Sequence, residues 1–158
     1  MDDVILALRT LFAASLEADL YKAIYYGENF VPAKSEVPFV EVIPVSTDMA
    51  QNGTNSMMNE LTVTIKSKDI IKNFVTGNTD KEVLTHVQTM VKRMEERDAN
   101  GKPKATTILG VLHDNRRISN TVHINNIGTI QYATESLNGS LFLTAEITIT
   151  AQRITARS

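Results

Sequence analysis

The chain has 158 residues, with 18 acidic side chains against 16 Lys and Arg for a net charge of −2, and 42% of its residues are hydrophobic. That length suits one domain burying roughly two thirds of its unfolded surface, and the apolar content excludes wholesale disorder. No apolar run approaches the roughly 20 residues of a membrane span, no cysteine is available for disulfide or thiol chemistry, and the chain has no overall basic footprint for nucleic acid.

Asp2 and Asp3 stand where a secretory signal would carry positive charge, so the expectation is a soluble protein made and kept in the cytoplasm. Charge is unevenly spread. Residues 1–60 hold nine acids against three bases, whereas 80–158 hold eight acids against ten bases. Such a division suits a head-to-tail subunit contact, and solvated surface charge is the plainer reading.

Residues 3–22 read as a helix. Ile5, Leu8, Phe12, Leu16 and Leu20 recur at helical spacing, Val4 and Leu11 widen the stripe, and Asp2 or Asp3 would cap it. Gly27 breaks the chain after Ile24-Tyr25-Tyr26, and Pro32 and Pro38 extend the loop that follows. Phe39–Val45 reads as a strand whose end must sit at a sheet edge or leave the sheet, because Pro44 has no donor. Residues 46–59 then read as a long polar loop carrying Met49, Met57 and Met58, followed by an alternating strand at 61–65.

The clearest helix signal lies at 79–97. Thr79 and Glu82 make a capping box, and Val83, Leu84, Val87, Met90, Val91 and Met94 line one face. Gly101 and Pro103 close it. Strands are expected at 105–113, 118–125 and 127–135. A final strand at 140–152 alternates Leu141, Leu143, Ala145, Ile147, Ile149 and Ala151 with threonines and Glu146, after an Asn138-Gly139 turn. Short connections between the late strands imply antiparallel pairing. The expected fold is a single α+β domain over 1–158, a mostly antiparallel sheet with two helices packed on one face.

Chemistry is harder to find. His86, His113 and His123 form no metal spacing, and the scattered glycines make no phosphate loop. A hydrolase would have to use His113, Asp114 and Ser119 or Ser140, which no spacing selects over surface residues. Glu95, Glu96 and Asp98 beside Lys92, Arg93 and Arg97 read as a solvated last turn, and His86 as a solvated position. No catalytic residue, cofactor or metal is expected.

Arg116-Arg117 reads as a basic pair on a turn between strands, suited to a phosphate or to a neighbouring subunit. Met57 and Met58 are adaptable apolar groups that would pack on a partner or anchor the loop to the domain's own core.

The layout as a whole resembles the phage tail terminator (tail completion) proteins. An amphipathic helix runs into "IYYGENF", then come "PFVEVIPV", a polar loop, "ELTVTIKS", the long helix "TDKEVLTHVQTMVKRMEER" and the closing strand "GSLFLTAEITITAQRI". This resemblance covers nearly the whole chain and carries no catalytic motif. It implies a structural protein of the virion tail or neck, assembled in the host cytoplasm as a homo-oligomer, typically a hexameric ring. The ring would cap the tail tube protein, stop tube growth and meet the head-tail connector or neck protein, with sheath as a further neighbour in a contractile tail. DNA would pass through the lumen without sequence-specific binding.

On this resemblance Tyr26 and Gly27 would shape the turn, and Met57, Met58, Arg116 and Arg117 would touch subunits or neighbours. A neck or head-tail joining ring protein, a tail tube subunit, a small cytosolic hydrolase and a nucleic-acid-binding accessory factor remain as alternatives.

Overall fold

A computed structural model describes residues 1–17, 21–27, 38–51, 56–70, 80–137 and 140–156. In chain order these form α1 (Asp2–Ser15), β1 (Ala23–Tyr26), β2 (Phe39–Gln51), β3 (Ser56–Ile70), α2 (Asp80–Glu95), α3 (Ile108–Asp114), β4 (Val122–Ile127), β5 (Gln131–Leu137) and β6 (Ser140–Ala156). The strands make one six-stranded sheet in the order β1-β2-β3-β6-β4, with β5 also paired to β6. All pairings are antiparallel except that of β1 with β2. The fold is α+β, as expected, with three helices among the described residues where two were anticipated.

β6 is the interior strand that its alternation predicts. It pairs with β3 on one side and with β4 and β5 on the other. Its residues Leu143, Ala145, Ile147, Ile149 and Ala151 join Leu61, Val63 and Ile65 of β3 on one face of the sheet. Val4, Ile5, Leu8 and Phe12 of α1, Met90 and Met94 of α2, and Ile108 to Leu112 of α3 complete that cluster. A shared core puts all three helices on the same face.

Several sequence expectations need correcting. The first helix stops at Ser15, not at residue 22. Leu16 is already extended (φ −73°, ψ 146°), with its N–H held by the Phe12 carbonyl, and Ala23–Tyr26, an aromatic and β-branched run, pairs with Phe39–Val42 instead. Asp2 and Asp3 lie in the first turn of α1 and complement its dipole, but Met1 is the N-cap and no side chain caps it. Residues 105–113 are not a strand. Thr107 accepts a hydrogen bond from the Gly110 N–H and starts a helix there, so the apolar run Ile108–Leu112 is a fully buried helix that periodicity alone cannot tell from a strand.

The largest correction concerns 46–59, expected as a loop. Ser46–Gln51 and Ser56–Asn59 continue β2 and β3. They remain strands because β6 runs on beside them, pairing Ser56 with Ala156 and Asn59 with Arg153. Residues 52–55 lie outside the described residues, as do Thr79 of the expected capping box and the Asn138-Gly139 turn.

On α2, Met90 and Met94 are buried, but Leu84, expected on the core face, is 54% exposed, and His86 is half-buried instead of solvated. The turn closing this region is built by Asp98, whose Oδ1 accepts from the Asn100 and Lys102 N–H groups. Gly101 sits there at φ +78°, where a side chain is disfavoured.

Gly110 marks the tightest contact between α3 and the segment before it. A Cβ there would lie 1.9 Å from the Lys104 carbonyl oxygen, a backbone atom that cannot swing away. Gly110→Ala is therefore expected to destabilise the protein by about 1–3 kcal/mol, read as a lower urea midpoint at unchanged slope. Gly27→Ala is the comparison, since a Cβ at Gly27 meets nothing within 4 Å and only its φ of +70° resists substitution.

Candidate subunit-contact surface

β2, β3 and β6 run on beyond Leu61 as an arm, with Asp48, Glu60 and Gln152 level with one another, then Met49, Asn59 and Arg153, then Ala50, Met58 and Ile154; β4 stays alongside as far as Val122 opposite Arg153. A bulge between Pro44 and Ser46 sets the arm's parity. Before it the even residues Val40 and Val42 face the core; after it Thr47 is paired with core-facing Leu61, and the odd residues share the helix side. Val45 in the bulge is 57% exposed and Met49 is 69% exposed. At the arm's base the Arg153 guanidinium donates to the Asp3 carboxylate of α1.

Pro44 conforms to its expectation in part. β2 continues past it, so the strand does not leave the sheet. But β1 covers only Phe39–Val42, and among the described residues no strand pairs with β2 on that side beyond them. The Val42 carbonyl points to the β1 side, where it accepts from the Gly27 N–H at 2.9 Å. By strand alternation the donor-less nitrogen of Pro44 points the same way, to the bare edge.

The structure separates the six residues singled out from sequence. Tyr26, 51% exposed, ends β1. Arg9 of α1 stacks 4.7 Å over its ring, donates from Nη1 to its hydroxyl at 3.2 Å, and donates from Nε to the Ile24 carbonyl. Gly27 follows in the left-handed region at φ +70°, where a side chain is disfavoured. Met58 lies half-buried in the arm, with Met57 beside it in the same strand.

Arg116 and Arg117 lie elsewhere, between α3 and β4 and not on a turn between strands. Their backbone lies along the outer edge of β4. Ile124 N–H donates to the Arg116 carbonyl, Ile118 N–H donates to the Val122 carbonyl, and Arg117 bridges His123. That segment closes the β4 edge. β5 on the same side has no such cover among the described residues, and Gln131 to Thr134 are exposed along it.

Of the hydrolase candidates, Asp114, His113 and Ser119 each meet other groups, and the Ser140 side chain lies outside the described residues. Asp114 pairs with Lys102 Nζ at 3.3 Å, His113 Nδ1 lies 3.5 Å from Arg116 Nη2, and the Ser119 hydroxyl accepts from the Thr121 and Val122 N–H groups. A shallow depression near the end of α2 gathers Glu95, Arg97, His113 and Tyr132. There the Tyr132 hydroxyl donates to Glu95 Oε2 at 2.8 Å, and burial, then the Glu95 carboxylate, raises the phenol above its ordinary pKa. No helix among the described residues is long and apolar enough to cross a membrane.

Two ionic groups escaped the sequence reading. Arg93, expected in a solvated last turn, is buried and donates to Asp69 Oδ2 at 2.5 Å. On the helix-free face, Lys68 Nζ lies 3.4 Å from Glu41 Oε2 and 3.9 Å from Glu135 Oε2, while Lys66 Nζ lies 3.2 Å from Glu135. Glu41 and Lys68 are fully buried, beside the second apolar cluster of Phe39 and Phe142, with Tyr25 edge-on to Phe39 at 5.5 Å. Strand alternation places Glu41 opposite core-facing Val40 and Val42, which reads as solvent. The available signal was Phe39, a large apolar residue on that same face.

No family model matches the chain, and no curated protein is significantly similar to it.

Lys68→Met is expected to destabilise by about 3–5 kcal/mol, since it removes the ammonium beside a buried Glu41 carboxylate, whereas Glu41→Gln with Lys68→Met recovers most of the loss. Chemical denaturation of the three proteins checks it. The Asp3 link has a pH signature. The hydrogen bond from Arg153 lowers the Asp3 pKa from 3.8 to about 2, so its contribution is present above the ordinary pKa and is lost as pH falls towards the depressed one. Asp3 is exposed, which limits the contribution to under about 1 kcal/mol. The stability difference between wild type and Asp3→Asn should therefore be measurable at pH 5 and vanish near pH 2.

Proposed function

We propose that this protein is a structural ring subunit of the phage tail terminator kind, which occupies the growing end of a tail tube, stops its elongation and presents a surface to the head connector. The observation that carries this reading is the arm. A ring subunit needs contact elements whose angle repeats from copy to copy until the ring closes. Here the expected loop is replaced by Ser46–Gln51 and Ser56–Asn59 laddered to β6, so the contact element is continuous with the core sheet and inherits its rigidity. Exposed Val45 and Met49 along it supply apolar surface that gains by burial. The layout resemblance supports the same reading from the sequence side.

In a phage carrying this gene, its deletion should yield tails of irregular, often excessive length beside unjoined, DNA-filled heads. Purified protein should bind one end only of isolated, correctly sized tubes. Electron microscopy of the lysate and of the mixture checks both. Normal-length tails already joined to heads would overturn the proposal, normal-length tails unable to join would move the protein to the neck, and a lack of tubes would make it a tube subunit or initiator.

A further inference from the structure

The geometry points to a specific joint between copies, resting on the ring reading above: the bare edge of β2 beyond Pro44 pairs with the bare edge of β5 of a second copy, continuing one antiparallel sheet from subunit to subunit.

Three independent features converge on it. The first is the shape of the two sheet edges. On one side β1 pairs with Phe39–Val42 and ends at Tyr26, and among the described residues no strand pairs with Ser46–Gln51 on that side. On the other side β4 is closed by the Arg116–Ile118 segment, while β5 is open. Among the described residues the first side thus offers the outer edge of β1 and the stretch of β2 beyond it, and the second side the edge of β5; of the two on the first side, only the β2 stretch carries exposed Val45 and Met49.

Direction agrees. β2, β3, β6 and β5 alternate in sense, and β5 is level with the start of β2 (Gln131 with Glu41, through Glu146 and Lys66), so a second copy in the same orientation, displaced along the strands by about ten residues, sets its β5 antiparallel to Ser46–Gln51. Sheet faces are preserved in that arrangement, and helices stay on the helix side.

The second feature is the placement of exposed apolar groups. The large exposed hydrophobic residues of the two edges are Tyr26, Val45 and Met49 on one and Tyr132 on the other. Register puts Met49 on the helix side through Leu61, two positions along β3, and Tyr132 there through its partner Ala145. An edge-to-edge joint brings these into reach across the new ladder, where a methionine and an aromatic ring pack well. Pro44 and the bulge after it guard the start of this edge; beyond them Ser46–Gln51 carries Asp48 as its one charge and no lysine or arginine.

The third feature is charge. Residues 1–60, with nine acids and three bases, supply α1, β1, β2 and the start of β3; residues 80–158, with eight acids and ten bases, supply everything on the β6 side. The sequence asymmetry is thus an asymmetry between opposite sides of the sheet. At the edges themselves, exposed Asp48 stands on β2, and exposed Arg97 lines the depression that holds Tyr132 of β5. Head-to-tail joining sets unlike sides together, whereas a two-fold joint through either edge sets like against like.

The chain contains no cysteine, which makes cross-linking unambiguous. Single variants Met49→Cys, Thr134→Cys and Asn126→Cys are mixed pairwise at concentrations where the protein assembles and treated with a short bismaleimide, whose reach tolerates a register slip of one pair. Oligomeric state is followed in parallel by analytical ultracentrifugation. Expected is a cross-linked dimer from M49C with T134C, and none from either alone or from M49C with N126C. Met49→Lys should weaken assembly by at least about tenfold while leaving the thermal melting temperature of the subunit unchanged.

Cross-linking of M49C to itself would show a two-fold joint and overturn the inference. Normal assembly with cross-links only to N126C, or with none, would overturn the β2–β5 assignment and leave the ring reading standing. A protein that stays monomeric at all concentrations overturns the joint, while the ring reading is decided separately by end-binding to tubes.

Discussion

Everything in this structure hangs on one ladder. β3 and β6 pair without a register break from Ser56–Ala156 to Ile70–Phe142, so a single strict alternation governs both strands along their whole length. A one-residue slip of β6 would turn Ile147 and Ile149 to the opposite face and bring threonines against the helices. The apolar set on one face, all of it beneath α1, α2 and α3, fixes the register. The backbone hydrogen bonds then carry that register outward into the arm, where no helix core holds it.

The other face shows what the ladder tolerates. Towards the arm it is a polar surface, with Thr64 and Thr148 sharing a hydroxyl hydrogen bond at 2.9 Å and Thr150 donating to Asn125 at 2.8 Å. Towards the opposite end it becomes a buried mixture of Phe39 and Phe142 with Glu41, Lys68 and Glu135. Such a group contributes little to net stability over an apolar alternative, yet it penalises any pairing that separates its members. Glu135 reaches Lys66 and Lys68 from β5, across β6, so the group ties the position of β5 to that of β3.

What could be read from the sequence follows from how local each signal is. The β6 alternation and the α2 stripe are local patterns over long windows, and both elements were legible with small boundary errors. Ile108–Leu112 was not, because a fully buried helix shorter than two turns has no polar face to reveal its period. The arm was illegible for the opposite reason. "STDMAQ" has little local strand preference and is held extended by β3, itself held by β6 nearly a hundred residues later in the chain. The contact residues divide along the same line. Gly27 was legible from its type alone. The role of Arg116-Arg117 in closing the β4 edge depends on a turn that returns the chain alongside that strand.

Pro44 gives the bare edge of β2 a fixed origin. An added strand draws donors and acceptors alternately from its host, and a residue with no N–H ends that series wherever it stands. With Pro44 on one side and the strand's end at Gln51 on the other, the usable length is Ser46–Gln51, close to the seven residues of β5. The proline thus acts as a zero mark on a ruler, excluding longer or lower-set strands and leaving one length of segment that fits.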